Sequence, residues 1–152
     1  MLCGEPSRFT NVPAIICLIF GVSEIGRLAG LSTHYCHLAA LAVVCNHIVM
    51  TQALNTENDV ATAGMFIASI AYTLRYVATK QAREAILAAV AIGLLSGMKY
   101  YALGYALVSV TTAIVLVSGV IGGLPALTFA ATSVAGLVLF GSYWYLRNLV
   151  VS

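Results

Sequence analysis

Apolar residues run along this chain in long blocks, at roughly 12–31, 34–54, 60–78, 85–98, 100–121 and 126–146, with short polar or Gly/Pro breaks between them. The blocks are rich in Ala, Leu, Val and Ile and do not alternate apolar with polar, so they do not read as barrel strands; most approach the ~20 residues a helix needs to cross a bilayer. The pattern predicts an all-α, polytopic transmembrane helix bundle of about six hydrophobic segments, 85–98 being short, in a single domain over residues 1–152. The breaks fall at Arg27 to Thr33, Asn55 to Asp59, Thr79 to Glu84, Lys99, and Gly122-Gly123-Leu124-Pro125, where glycine and proline interrupt helical hydrogen bonding. No break is long enough for a soluble domain, and neither an internal repeat nor a low-complexity tract stands out.

Composition turns this pattern into a class. Hydrophobic residues make up 61% of the chain and charged residues only 8%, with a mean hydropathy of +0.99, whereas a soluble domain carries about 25% charged residues. An integral, multi-pass protein of the cell (inner) membrane is expected, with membrane lipids as its surroundings and no nucleic-acid partner. Arg75, Lys80 and Arg83 crowd the third break against one acid, Glu84, and the excess of positive charge predicts that this break faces the cytoplasm. Alternation then puts Asn55 to Asp59, Lys99 and Arg147 on the outer side, and Arg27 and the Gly-Gly-Leu-Pro turn inside. Lys99 and Arg147 run against the positive-inside bias, which suits an anionic ligand on the outer face. The amino terminus also falls outside. Its first apolar run is too long for a leader and contains Glu24, so no cleaved signal peptide is expected.

In so apolar a chain, the remaining charges mark either a membrane edge or a site. Residues 50–59, Met-Thr-Gln-Ala-Leu-Asn-Thr-Glu-Asn-Asp, place Glu57 and Asp59 where one block ends and the next begins. Two apart, they diverge by about 200° on a helix but share a side in an extended entry. Helix capping and a favourable dipole interaction explain acids and amides here as well as a site does. Lys99 interrupts Gly93-Leu-Leu-Ser-Gly97-Met-Lys99-Tyr100-Tyr101. Snorkelling beside two interfacial tyrosines is one explanation and contact with a phosphate is the other. Gly93 and Gly97 form a small-xxx-small pair suited to close helix packing. His34, Cys36 and His37, with Cys45 and His47 further on, lack a second cluster to close a zinc sphere, and Cys17 and Cys45 read as small apolar fillers. Near the carboxyl end, Trp144 and Tyr145 precede Arg147 and Asn148, an interfacial belt followed by a cation and an amide.

Three of these stretches, Gln52-Ala-Leu-Asn-Thr-Glu-Asn-Asp59, Gly93-Leu-Leu-Ser-Gly-Met-Lys99-Tyr100 and Trp144-Tyr-Leu-Arg147-Asn148, occur in an order and at a spacing that resemble the middle of the GT-C membrane glycosyltransferases, which include the protein mannosyltransferase and aminoarabinose transferase families. The resemblance covers most of the chain from about Arg27. It implies transfer of a sugar from a polyprenyl-phosphate carrier to an acceptor on the non-cytoplasmic face. It also implies Lys99, Tyr100, Arg147 and Asn148 around the carrier phosphate, and Asp59 with Glu57 near a divalent metal cation such as Mg or Mn. Such enzymes carry their principal acid on an upstream outer loop and continue from Arg-Asn into Gly-Asn-Pro. This chain contains neither, so it is expected to be a central fragment, inactive alone, whose partners are a lipid-linked sugar donor and the remainder of the full-length chain. The competing reading is a small non-enzymatic transporter or scaffold in which Glu57, Asp59 and Lys99 form a polar pathway with a broken helix at Lys99.

Overall fold

The computed structural model of the chain describes residues 11–53 and 59–151, and among them every regular element is helical. The helices are α1 (Val12–Leu28), α2 (Thr33–Val44), α3 (His47–Ala53), α4 (Asp59–Thr79), α5 (Ala82–Met98), α6 (Ala102–Val120), α7 (Gly123–Gly136) and α8 (Ser142–Val151), with a π-helical segment, Leu137–Gly141, joining the last two. Three stretches are long and apolar enough to cross a membrane: Asp59–Thr79, Ala102–Val120 and Gly123–Gly141. That is fewer than the six expected, for two reasons. Helices α1 and α5 have 17 residues each, about 25 Å at 1.5 Å per residue against a hydrocarbon core near 30 Å. The block at 34–54 is not one helix either. It breaks at Cys45–Asn46, where the Asn46 side-chain oxygen accepts from the Ile48 N–H at 3.0 Å and opens α3.

Short turns fix the topology. Gly30 sits at φ +85°, so α1 ends with the Leu31 N–H on the Gly26 carbonyl and the Gly30 N–H on that of Arg27, both at 3.0 Å, a Schellman ending that requires a left-handed residue. Lys80, also left-handed at φ 57°, and Gln81 are all that separate α4 from α5, so the two helices form an antiparallel hairpin. Lys99 is extended, at φ −152° and ψ 160°, and turns the chain into α6.

Helix α5 is the centre of the bundle and packs on α4, α6, α7 and the π segment. Its buried set, including Ala85, Ala88, Ala89, Ile92, Leu95 and Ser96, nearly encircles it, as expected for a helix covered on all sides. Small residues bring the partners close. A Cβ on Gly93 would overlap the Gly136 carbonyl, one on Gly136 the Ala89 carbonyl, and one on Gly141 the Ser96 hydroxyl. The close packing expected of the Gly93/Gly97 pair is present at Gly93, with Ala89 and Ser96 completing the face, while Gly97 lies half-buried beside the Lys99 end. The same close approach lies beside the π segment, where the backbone re-registers to keep Gly136 and Gly141 against α5. On the other flank, a Cβ on Gly64 of α4 would stand 2.7 Å from the Ala14 carbonyl of α1. Helix α6 buries the stripe Ala102, Ala106, Ser109, Ala113 and Val117 and leaves Leu107, Val108 and Val115 outward. Large apolar side chains such as Phe20, Val115 and Leu139 lie exposed around the bundle, a distribution that suits acyl chains rather than water.

Candidate functional site

The antiparallel α4–α5 hairpin sets Asp59, the first residue of α4, at the same end of the bundle as Lys99, which follows α5. The Lys99 ammonium lies 2.5 Å from Asp59 Oδ1, and the Tyr101 hydroxyl donates to the same oxygen. Gln52 of α3 donates from Nε2 to Asp59 Oδ2 at 3.3 Å, and the Asn11 side-chain amide reaches the Gln52 carbonyl at 3.2 Å. The ammonium also stands 5.4 Å from the centre of the Tyr101 ring, within cation–π range. Beside its carboxylate partner, the Lys99 side chain holds its proton above the ordinary lysine range, the hydrogen bond to Asp59 being the main cause. Both side chains are about one-third exposed. The pair sits at the mouth of the bundle, not in its core.

Two cavities flank it. One, of about 400 Å³, is lined by Ser96, Gly97, Met98, Lys99, Tyr100 and Tyr145, among others. Tyr145 of α8 closes its side, with its hydroxyl donating to the Ser96 carbonyl at 3.2 Å and its ring edge-on to Tyr100 at 6.4 Å. The other, of about 310 Å³, is lined by Asp59, Thr62, Ala63, Phe66, Tyr101 and Tyr105. Tyr105 stands edge-on to both Phe66 and Tyr101. Tyr101 therefore separates an ammonium-headed cavity from a carboxylate-headed one.

Of the residues singled out from sequence, the structure brings Asp59, Lys99 and Tyr100 to one end of the bundle. Arg147 and Asn148 follow Tyr145 on α8, so their backbone lies near the same cavity, but their side chains are outside the described set. Glu57 lies outside the described residues. Tyr101, Gln52 and Tyr145 were missed as members of the site. Tyr101 was legible as an aromatic hydroxyl two residues from the one lysine in its region, whereas Tyr145 depends on how α8 docks. Among the described residues no three His, Cys, Asp or Glu side chains converge, and the carboxylate of Asp59 already carries an ammonium. The described donors therefore do not fit a divalent cation, which would have to displace Lys99.

A second charged cluster occupies the opposite end, where the sequence places Arg27, Arg75, Arg83 and Glu84 on one face but gives no pairing with Glu24. Arg75 of α4 makes a bidentate pair with Glu84 of α5, Nε to Oε2 and Nη2 to Oε1, both 3.1 Å, and reaches Glu24 of α1 through Nη1 at 3.1 Å. Arg83 donates to Glu84 at 3.1 Å and Arg27 to Glu24 at 2.6 Å and 3.0 Å. The Glu84 side chain is only 2% exposed, so this carboxylate is held by charge-assisted bonds in place of water. The signal was Glu24, an acid inside an apolar block, which calls for a cation at the same depth. From Asp59 to Arg75 is 16 positions along α4, roughly 24 Å at 1.5 Å per residue, so the two clusters bracket most of a bilayer core.

No protein-family model matches the chain, and no curated protein or solved structure matches it either.

Proposed function

We propose that this chain is a multi-pass membrane unit of a polyprenyl-phosphate-dependent glycosyltransferase of the GT-C type, with its Asp59–Lys99 end at the outer surface of the cell membrane holding the phosphate of a lipid-linked sugar. The observation that carries the reading is the position of Lys99. Its ammonium stands at the end of the bundle, beside a cavity walled by Tyr100 and Tyr145, where a lipid phosphate would lie while its chain stays in the membrane. The transporter alternative needs a polar break near mid-depth. The break at Lys99 is instead the turn between α5 and α6, and the polar groups buried deeper between α4 and α6 include, among the described residues, the hydroxyls of Ser69 and Ser109, bonded to each other at 3.2 Å, and that of Thr73, which donates to the Ser69 carbonyl at 2.8 Å.

In this reading Asp59 and Tyr101 orient the Lys99 ammonium, which meets the phosphate from the Tyr100 side. The resemblance also assigns Arg147 and Asn148 to the carrier phosphate. As the carrier phosphate leaves the anomeric carbon in an inverting displacement, charge grows on its oxygens, and a preoriented ammonium stabilises it without reorganising. The acceptor hydroxyl would give its proton to a carboxylate acting as base, a group not assigned among the described residues. A divalent cation would enter only if Glu57 joined Asp59, and no step here relies on one.

The test is binding of decaprenyl phosphate to the detergent-solubilised chain. Lys99→Gln should weaken it at least tenfold while Thr111→Ala, on the exposed face of α6, leaves it unchanged. Equal binding by wild type and Lys99→Gln would remove the site. Solute flux in vesicles that depends on Asp59, without phosphate binding, would favour transport.

A further inference from the structure

We propose that the opposite end of the bundle is a binding site for an anionic glycerophospholipid, with the phosphate between Arg27, Lys80 and Arg83 and one acyl chain in the groove between α1 and α4. Four cations, Arg27, Arg75, Lys80 and Arg83, gather there against two carboxylates, Glu24 and Glu84, a surplus of two positive charges. Arg75 is committed to the carboxylates, with Nε, Nη1 and Nη2 all engaged. The surplus is therefore displayed by the others. Arg27 uses Nε and Nη2 on Glu24 with its side chain 64% exposed, Arg83 uses Nε on Glu84 with 68% exposed, and Lys80 projects from the exposed turn between α4 and α5.

Below these cations lies a cavity of about 330 Å³ between α1 and α4, walled by Ile16, Cys17, Phe20, Ala68 and Tyr72, with Glu24 and Arg75 at its polar end. The small residues Ala68 and Ala71 line this space, and Gly21 lets α1 approach Ile67 of α4 beside it. An apolar slot that ends at a cationic rim matches a lipid with an acyl chain and a negative head. The Glu24 carboxylate at the rim does not repel such a head, since it is paired with both Arg27 and Arg75. A zwitterionic lipid gains nothing from the surplus charge. This site is independent of the Asp59–Lys99 end and stands whether or not that end handles a lipid-linked sugar.

The experiment is native mass spectrometry of the detergent-solubilised chain with equimolar phosphatidylglycerol and phosphatidylcholine. At low salt one phosphatidylglycerol should be retained with a preference of about tenfold, falling with ionic strength as exposed charges are screened. Arg27→Gln, Lys80→Gln and Arg83→Gln together should bring the preference close to unity, and Cys17→Phe, which fills the slot, should reduce retention with the rim intact. Helical circular dichroism checks that the variants fold. Absence of a preference in the wild type would overturn the proposal, as would a preference that survives the triple substitution, the slot-filling variant or raised salt.

Discussion

The two ends of the bundle both hold ion pairs, yet they are built for different work. At one end Arg75 joins Glu24 and Glu84 and so ties α1, α4 and α5, with Glu84 almost wholly removed from solvent. At the other, Lys99 and Asp59 meet with about a third of each side chain exposed, between two cavities. Breaking a buried pair leaves an uncompensated charge in an apolar interior, whereas an exposed pair loses little when parted because water replaces the partner. The Arg75 cluster with Glu24 and Glu84 is thus committed to the fold, and the Asp59–Lys99 pair can exchange its partner for a ligand.

The sharpest break of this comparison is Arg75→Ala, which leaves buried Glu84 with only the Arg83 bond and should lower stability by up to about 3 kcal/mol, read as a large fall in the thermal midpoint in detergent. Arg75→Met combined with Glu84→Leu removes both charges and should recover most of that loss; if the double variant is as unstable as the single one, the cost lies in packing and not in the under-compensated carboxylate. Next in size is Gly136→Val, whose side chain would run into the Ala89 carbonyl and should cost on the order of 1–3 kcal/mol, with the change visible as loosened packing of α7 on α5. Lys99→Gln should cost at most about 1 kcal/mol, a shift of a few degrees in the same melt. The smallest effect concerns pH. Asp59 raises the lysine's proton affinity, so while Asp59 is ionised the lysine's contribution is complete below the ordinary lysine value and is lost as pH climbs through the raised folded one. Melting curves from pH 6 to 9 should show no transition that Lys99→Gln abolishes.

Much of this contrast could be read from the chain before its fold, and the part that could not has a physical reason. The borders of α4 and α5 were visible because Asp59, Lys80 and Lys99 interrupt apolar blocks, and the two-residue turn between the helices puts Asp59 and Lys99 at one end by itself. The pairing of Glu24 with Arg75 spans 51 positions and depends on how α1 docks, which no local pattern encodes. The break at Cys45–Asn46 was hidden because apolar residues flank it on both sides and one amide makes the cap. The π segment is likewise absent from the pattern of its own residues, since Gly93 and Ser96 on another helix set the register that Gly136 and Gly141 must meet. The candidate site was legible as separate residues, Asp59, Lys99 and Tyr100, while Tyr101 and Tyr145 emerged only with the tertiary contacts.

The most direct test of the division between the two ends is to measure thermal midpoint and decaprenyl-phosphate binding on the same preparations of wild type, Lys99→Gln and the Arg75→Met/Glu84→Leu variant. The account predicts that Lys99→Gln melts within a few degrees of wild type and binds at least tenfold more weakly, and that the double variant, once folded, binds as wild type does. A Lys99→Gln protein that binds normally, or one that unfolds as badly as Arg75→Ala, would contradict it.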